Sequence, residues 1–502
     1  MTVAPGAAKP LLPGATAAVA SGVALAVAFP GLDIGPLALI ALVPLFWSWR
    51  DATPARCALF GLLAGVAFFS IHLWWVVYFG AVAIVPFIAA LSIYWAATGY
   101  VIGFLHRLNV RSPLIVAATW VCFEAVRTSW PLGGFPWGQP GVALHDFPVA
   151  RAVAEWGGIP LVTFIVVLFN ALLVEAIIGW QSRSQNNQGF KVTVVSLVGV
   201  IAFVGLADLF RFTATPTGSL RIAMLQGNDL NRPLTQKEVD SDYLTRRHLE
   251  LAAELRGKYD LIVFPESGLM SDPESDQRLM LRLRKIAREH DSFLMVNVVD
   301  EQARGKRYNA NRLYSPSGLL VGTYAKQHLV PFGEYVPWRE SLKFISALQQ
   351  VSRDLDPGEK AVVFDLNGTP IGTVICFESA FGPLVRESVR KGAQAIVVTT
   401  NNRSFRRSAN SVQHLALSQM NAAAVARPML QSSISGTTAV ISASGDVSHA
   451  TRLFENQVVS ARITTTIGDT PYVRYGAWVV WSCLACVFTA LILGLNRRRV
   501  SA

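Results

Sequence analysis

One cysteine in the polar middle of the chain has the type and position of a catalytic nucleophile. Four of the five cysteines lie in long apolar runs: Cys57, Cys122, Cys483 and Cys486. The fifth, Cys376, closes a β-branched run at 371–375 and precedes a helix-like stretch. A strand-to-helix turn projects a nucleophile toward solvent near a helix N-terminus, which favours the thiolate. Taken alone, Cys376 would be better interpreted as a small buried hydrophobic residue, so its interpretation as a nucleophile depends on the groups that accompany it.

Two charged residues occupy the same kind of position. Glu266 follows a predicted strand at 261–264, and Lys326 follows another at 319–324. Charged residues at the carboxyl ends of strands line the crevice in which α/β proteins usually bind ligands. Glu266 could take the thiol proton as a general base and return it to a leaving group. Lys326 could favour the thiolate and stabilise the oxyanion of a tetrahedral intermediate.

Each of these assignments has an alternative. Glu266 and Lys326 could be ordinary surface charges at strand ends. A histidine could activate the thiol instead, with His328 and His414 as the candidates, although His414 lies in a helix-like run where packing is the usual role. The sequence shows no convincing metal-ligand spacing and no glycine-rich phosphate loop, so we expect neither a metal nor another cofactor.

The polar region at 220–466 alternates β-branched runs with amphipathic helical stretches, which is typical of an α/β domain. Besides the three runs above, we predict strands at 220–225, 293–298, 362–366, 395–399, 429–433 and 439–442. We predict helices at 237–256, 276–290, 381–391 and 411–426. A domain of about 250 residues can bury one sizeable core, so these elements can position all three candidate residues.

The rest of the chain is too apolar for an ordinary soluble enzyme, since 52% of its 502 residues are hydrophobic and only 15% are charged. Apolar stretches that span, or nearly span, a bilayer lie at 11–29, 35–49, 57–79, 81–105, 113–126, 158–180, 192–212 and 475–495. We therefore predict about eight transmembrane helices, in a membrane domain at 1–212 with about seven of them, a polar domain at 213–473, and a final helix with a basic tail at 474–502.

The distribution of cations predicts the orientation, because Lys and Arg near helix ends are retained on the cytoplasmic side. With the N-terminus inside, the inner connections hold most of the cations, including the polar connector at 181–189 and the terminal Arg497 to Arg499. The polar domain then lies outside. This distribution also argues against nucleic-acid binding as the reason for the net charge of +11, since much of the excess lies in membrane anchors.

Three ionisable residues fall within or near the ends of apolar segments: His72, Glu124 and Glu175. Such residues are functional candidates by default. Because no charged partner is evident for them in the sequence, we expect hydrogen bonds between helices.

Three motifs, in this order and spacing, resemble the Glu-Lys-Cys triad of the carbon-nitrogen hydrolase (nitrilase) superfamily. They are Phe264-Pro-Glu266, Lys326-x-His-Leu-Val-Pro-Phe-Gly-Glu334 and Cys376-Phe-Glu378. A membrane part with such a domain inserted before its last helix is similar to the bacterial apolipoprotein N-acyltransferases. The segments Gln226-Gly-Asn228 and Gly134-Phe-Pro-Trp-Gly-Gln139 add to this resemblance. It covers nearly the whole chain and implies an integral membrane helical bundle joined to a nitrilase-like αββα sandwich.

The resemblance implies acyl transfer at the outer face of the bacterial plasma (inner) membrane. The thiolate of Cys376 would attack a phospholipid ester, forming a thioester and releasing a lysophospholipid. The α-amine of a diacylglyceryl-cysteine lipoprotein would then take the acyl chain. Supporting roles are implied for Glu334, Phe377 and Glu378. The expected partners are thus a phospholipid donor, a diacylated lipoprotein acceptor and the lipid bilayer, and we expect a monomer.

Three features depart from the family pattern. Phe377 stands where the family commonly has Tyr, so any phenolic hydrogen bond is lost. The loop Asn401-Asn-Arg-Ser-Phe-Arg-Arg407 replaces an aromatic element of many members with three cations. The Trp that some members place after Gln-Gly-Asn is missing near Asn231. We interpret these changes as altered substrate handling, in which the three arginines meet anionic head groups or form a solvated basic loop.

Two other function classes stay open. A membrane-tethered amidase or nitrilase would pass the thioester to water and would yield free fatty acid or ammonia without an N-acylated product. A non-catalytic paralogue would bind lipoproteins or partner enzymes without turnover, and Cys376 would never become acylated. The departures at Phe377 and Arg403 are the best support for the second class.

Overall fold

The computed structural model describes residues 11–181, 188–301, 305–343, 351 and 353–500. Most of the predicted connector at 181–189 lies outside these residues. The chain divides into two compact units. The first, the membrane unit, consists of Met1–Arg211 and Ala477–Ala502, and the second, the polar unit, consists of Phe212–Gly476.

The membrane unit is helical in its described parts. Its helices are α1 (Leu11–Ala28), α2 (Val43–Trp49), α3 (Pro54–His72), α4 (Ala81–Arg107), α5 (Pro113–Arg127), α6 (Pro148–Gln181), α7 (Gln188–Leu209) and a C-terminal helix (Trp478–Val500). Six of these described helices are long and apolar enough to cross a membrane, namely α1, α3, α4, α6, α7 and the C-terminal helix. The protein is therefore a multi-pass membrane protein.

The predicted count of about eight spanning helices is not confirmed. The stretch at 35–49 is interrupted, because Pro44 lies in the first turn of α2, which has only seven residues. Helix α5 has 15 residues, which at a rise of about 1.5 Å per residue is shorter than a hydrocarbon core of about 30 Å. Both helices are therefore shorter than the six that are long and apolar enough to cross a membrane.

The polar unit contains two six-stranded sheets. Its described strands are β1 (Thr215–Gln226), β2 (Leu261–Val263), β3 (Phe293–Glu301), β4 (Arg307–Tyr314), β5 (Leu320–Ala325), β6 (Val363–Leu366), β7 (Thr369–Ile375), β8 (Ala395–Thr400), β9 (Met429–Ser433), β10 (Ala439–Ile441), β11 (Val447–Ser448) and β12 (Gln457–Ile467). The first sheet has the order β12-β1-β2-β3-β4-β5, and the second has the order β11-β10-β9-β8-β7-β6.

Helices cover the outer face of each sheet. The described helices of the polar unit are α8 (Gln236–Asp240), α9 (Tyr243–Ala253), α10 (Gln277–His290), α11 (Gly382–Arg390), α12 (Asn410–Val425) and α13 (Pro471–Tyr475). Apolar residues of α9 and α10 share one core with the first sheet, while α11 and α12 pack on the second sheet.

A second core lies between the sheets and explains why their strands are apolar on both faces. In β1, Ile222 and Met224 belong to this inner core, whereas Ala223 and Leu225 belong to the helix-facing core. Side chains of a strand alternate between faces, so one strand supplies both layers. The arrangement is an αββα sandwich, and the predicted fold class is confirmed.

All nine predicted strands of the polar unit are present, but β4, β11 and β12 were missed. The residues of β4 include Asn309, Asn311 and Arg312, which are buried. Polar residues of this kind usually predict an exposed segment. The sequence pattern therefore did not indicate a buried strand here. The predicted helix at 237–256 is two helices, because Asp242 adopts a left-handed conformation with φ of 52° between α8 and α9.

Candidate active site

Three strands of the polar unit place the predicted residues together. Glu266 lies just beyond β2, Lys326 directly follows β5, and Cys376 directly follows β7. Strands β2 and β5 both run parallel to β3, so their carboxyl ends lie at the same edge of the first sheet. The Lys326 Nζ atom is 3.6 Å from Glu266 Oε1, and the side chains of Glu266 and Cys376 are hydrogen bonded. The structure thus unites the three residues that sequence spacing singled out.

A second carboxylate, that of Glu334, completes a clamp around the lysine. Its Oε2 atom is 2.8 Å from Lys326 Nζ and accepts a hydrogen bond from the backbone N–H of Val330 at 2.7 Å. The Nδ2 atom of Asn309 donates to Glu266 Oε1 and to Glu334 Oε1, both at 2.7 Å. An amide nitrogen carries two hydrogens, so Asn309 can hold both carboxylates at once.

Asn309 belongs to a chain of buried polar side chains that links the two sheets. Asn297 Nδ2 donates to Asn309 Oδ1 at 2.7 Å and to Asn311 Oδ1 at 3.2 Å. Asn311 in turn donates to Thr373 Oγ1 of the second sheet at 2.8 Å. None of these residues belongs to a motif singled out in the sequence. The available signal was Asn309-Ala-Asn311, because its spacing of two places both amides on one face of a strand.

The nucleophile candidate has a strained backbone and a fixed sulfur. Cys376 has a positive φ of 52°, which is uncommon for a residue other than glycine. Its Sγ atom receives hydrogen bonds from the Thr400 hydroxyl, at 3.2 Å, and from the backbone N–H of Asn401. The residue keeps some exposed surface. The sulfur is therefore held in one place by the end of β8.

The thiol, not the thiolate, is the resting form of Cys376. Burial is the main factor that raises its pKa to about 12, and the nearby Glu266 carboxylate adds to it. Lys326 lowers this pKa but does not overcome the other two effects. The expectation that the strand-to-helix position favours the thiolate is therefore wrong for the resting site, since desolvation outweighs it.

The charges around the thiol do not balance. Lys326 is only 1% exposed, and burial disfavours its charge, but the Glu334 and Glu266 carboxylates outweigh burial and raise its pKa. Burial likewise raises the pKa of Glu266, and Lys326 opposes that shift. When all three groups are ionised, two carboxylates face one ammonium, which leaves one excess negative charge. A second anion at Cys376 is unfavourable unless the thiol proton moves to Glu266.

Neither histidine occupies the position of a base for the thiol. His414 Nε2 lies 3.0 Å from the backbone carbonyl oxygen of Cys376 and 2.8 Å from Ser379 Oγ. The His328 ring packs on Phe381 with centroids 4.0 Å apart. Burial lowers the pKa of both histidines to about 4. The hydrogen bond from the thiol to Glu266 therefore favours the carboxylate over a Cys-His pair.

Glu378 connects the lysine loop to the cysteine turn. Its buried carboxylate accepts hydrogen bonds from the Tyr324 hydroxyl at 2.8 Å, from the backbone N–H of Gln327 at 2.7 Å and from that of Ile375 at 2.7 Å. These partners come from both sheets, so Glu378 fixes Lys326 relative to Cys376. Phe377 packs against the ring of Phe381, with centroids 4.9 Å apart.

One group of possible metal ligands lies in the membrane unit. Atoms of Asp33, His145 and Asp146 come within 4.8 Å of one another. His145 Nε2 is 3.1 Å from Asp33, and its Nδ1 is 3.2 Å from Asp146. The imidazole thus already bridges the two carboxylates through both of its nitrogens, and these contacts account for the cluster without a metal.

Two family models match the chain. The model described as the apolipoprotein N-acyltransferase N-terminal domain matches residues 21–172. The model described as carbon-nitrogen hydrolase matches residues 221–472, which include Glu266, Lys326 and Cys376.

Curated relatives match nearly the whole chain. An apolipoprotein N-acyltransferase of Geobacter metallireducens is 30% identical over 507 residues, covering 96% of this chain and 95% of the relative. One of Pseudomonas putida is 28% identical over 505 residues, covering 97% of each. Among solved structures, a Nesterenkonia amidase of the nitrilase superfamily is 19% identical, covers 53% of this chain and 96% of its own, and has a TM-score of 0.36. From the two relatives and the two family models, the chain belongs to the apolipoprotein N-acyltransferase family.

Proposed function

We propose that this protein transfers an acyl chain from a phospholipid, through a thioester on Cys376, to the α-amine of a diacylglyceryl-cysteine lipoprotein. The observation that carries the proposal is the thiol of Cys376, hydrogen bonded to Glu266, which lies 3.6 Å from Lys326. The similarity of the whole chain to proteins named apolipoprotein N-acyltransferase supports the choice of substrates.

In the first half-reaction, Glu266 takes the thiol proton while Sγ attacks the ester carbonyl carbon of the phospholipid. The new C–S bond gives a tetrahedral oxyanion, and the Lys326 ammonium is the nearby cation that stabilises it. The C–O bond then breaks, Glu266 gives its proton to the departing alkoxide, and lysophospholipid leaves. The buried charge stays constant during the proton transfer, because the thiol loses the proton that Glu266 gains.

In the second half-reaction, the acceptor amine attacks the thioester carbonyl. Glu266 accepts a proton from the amine and returns it to Sγ when the C–S bond breaks, which leaves an amide on the acceptor and the thiol on Cys376. A thioester suits this step, because it divides one acyl transfer into two easier ones. Glu334, Asn309 and Glu378 act as positioning residues for Lys326 and Glu266.

The proposed setting is the bacterial inner membrane, with the polar unit on its extracytoplasmic side and the protein a monomer. Two features support this setting, the first for the orientation and the second for the membrane. The inner connections of the membrane unit are rich in Lys and Arg, and Arg497 to Arg499 follow the last apolar segment. Both proposed substrates are lipids, so attachment to spanning helices keeps the protein in the membrane that holds them.

The test is intact mass spectrometry of the full-length protein incubated with phospholipid, followed by a diacylated lipopeptide. We expect an added acyl mass in the wild type and in Cys483→Ala, the matched cysteine control from the C-terminal helix, but not in Cys376→Ala. The lipopeptide should remove this mass and become N-acylated. Loss of the mass to water alone would indicate a hydrolase, and no adduct with any phospholipid would indicate a non-catalytic relative.

A further inference from the structure

A half-buried arginine, Arg403, lies in the loop next to the nucleophile. Among the described residues, the Arg403 guanidinium has no hydrogen-bond or ion-pair partner, and its Nη1 atom is buried. Burial lowers its pKa. A guanidinium carries five N–H donors, and a buried donor without an acceptor costs free energy. This side chain is therefore suited to an anionic group of a ligand.

The loop that carries Arg403 begins at the nucleophile. Thr400 and the backbone N–H of Asn401 both contact Cys376 Sγ. The backbone N–H of Arg403 donates to Asn401 Oδ1 at 3.1 Å, and Asn401 Nδ2 donates to the hydroxyl of Ser267 at 3.1 Å. Arg403 follows Asn401 by two residues, and two residues span at most about 7 Å. The Cα atom of Arg403 therefore lies within about 7 Å of the Cα atom of Asn401, whose backbone N–H contacts the sulfur.

The loop that carries Arg403 has cations without acidic residues beside them. Residues 401–410 contain three arginines and no Asp or Glu. By contrast, Arg312 pairs with Asp272 and Asp300 at 2.5 and 2.7 Å. Arg407, in the same loop, lies over the Phe454 ring at 5.6 Å. Arg403 is thus the arginine that is both next to the site and without a protein partner among the described residues.

The ligand chemistry follows from the two substrates. The phospholipid donor carries a phosphate only a few covalent bonds from the ester carbonyl that Cys376 would attack, whereas the acceptor presents an amine. Arginine recognises phosphate through paired, charge-assisted hydrogen bonds. We propose that Arg403 binds the phosphate of the acyl-donor phospholipid and so determines donor specificity in the first half-reaction. This inference depends on the proposed function.

The test separates the two half-reactions in the full-length protein. Acylation of Cys376 is measured by mass spectrometry with phosphatidylglycerol and with a phosphate-free p-nitrophenyl ester of the same fatty acid. We expect Arg403→Gln to slow acylation by phosphatidylglycerol about 10- to 100-fold, the scale of a lost hydrogen bond to a charged group. Acylation by the nitrophenyl ester, and discharge to the lipopeptide, should change less than about 2-fold.

Two further variants serve as controls. Arg403→Lys keeps the charge but loses the paired geometry, so it should recover part of the rate. Arg407→Gln removes the same charge from the same loop and should leave the rate nearly unchanged.

Several results would overturn the inference. They are an unchanged rate with phosphatidylglycerol in Arg403→Gln, an equal loss with both donors, or an equal loss in Arg407→Gln. If neither donor acylates the wild-type protein, that result would instead contradict the proposed function itself.

Discussion

Buried charges are arranged differently in the two units of the molecule. In the membrane unit three glutamates each pair with one arginine: Glu124 lies 3.5 Å from Arg127, Glu155 lies 3.5 Å from Arg211, and Glu175 pairs with Arg50. In the polar unit, Lys326 faces two carboxylates and lies near a thiol. Balanced ion pairs can stabilise the packing of helices without taking part in a reaction. An unbalanced cluster with a transferable proton can act in acid-base catalysis.

The contacts of the ionisable residues in the membrane unit agree only in part with the prediction from the sequence. Hydrogen bonds between helices were expected, and Glu124 indeed bonds Thr163 of α6, but its arginine partner on the same helix was missed. Arg127 is buried and donates to the carbonyl oxygens of Phe135 and Trp137, both at 2.7 Å. His72 packs against Phe29, with ring centroids 4.5 Å apart. These contacts favour a structural role for all of them.

The largest effect is expected when the cation of the unbalanced cluster is removed. Lys326→Met would leave Glu266 and Glu334 together in a buried site. We expect no acyl-enzyme and a loss of roughly 3–5 kcal/mol in the free energy of unfolding, measured by mass spectrometry and by chemical unfolding in detergent. Adding Glu334→Gln should restore stability in part but not activity. An active Lys326→Met variant would remove this lysine from the mechanism.

The pKa of the thiol predicts its reactivity. Since the pKa of Cys376 is raised from 9.0 to about 12, its thiolate fraction near neutral pH should be about 1000-fold below that of an ordinary thiol. The rate of iodoacetamide labelling should therefore keep rising beyond pH 10, with Cys376→Ser identifying the labelled site. Glu266→Gln should lower this pKa and speed labelling at a fixed alkaline pH, whereas Glu175→Gln should not. A plateau near pH 8 would contradict the buried-thiol description.

A smaller effect is expected from the amide that holds both carboxylates. Asn309→Ala removes the donor shared by Glu266 and Glu334, and the cost of such lost bonds to charged groups is about 1.5–3 kcal/mol each. We expect acylation to slow by at least roughly 100-fold, measured as the rate of thioester formation. Asn456→Ala is the matched control, because it removes an exposed contact to Asp229 and should leave the rate unchanged.

The smallest effect is expected in the membrane unit. The Arg50–Glu175 pair is about one quarter exposed on each side, and such pairs contribute about 0–1 kcal/mol. Glu175→Gln should therefore change the acylation rate less than about 2-fold, whereas the same substitution at Glu334 should reduce it at least about 10-fold. Equal losses in the two variants would mean that charge balance does not separate the structural groups from the catalytic ones.

Much of the site was predictable because its residues stand at strand ends in a recognisable order. Glu266, Lys326 and Cys376 were identified from spacing and motif, and the structure brings all three together. Asn309 was not identified, since it lies on a strand whose polar residues predict exposure. The two shortest apolar segments were counted as spans from hydropathy, which measures composition and not the length of the helix that forms.

The sequence alone determined the two-part plan, the apolar helices, the alternating strands and the three reactive residue types, because these depend on local composition and periodicity. Only the tertiary structure decided which groups share a buried space. The raised pKa of the Cys376 thiol, the clamp of Asn309 on two carboxylates and the position of Arg403, which has no partner in the described part of the chain, all depend on desolvation and on contacts between distant segments. No local pattern encodes these contacts, because the residues that make them lie far apart in the chain.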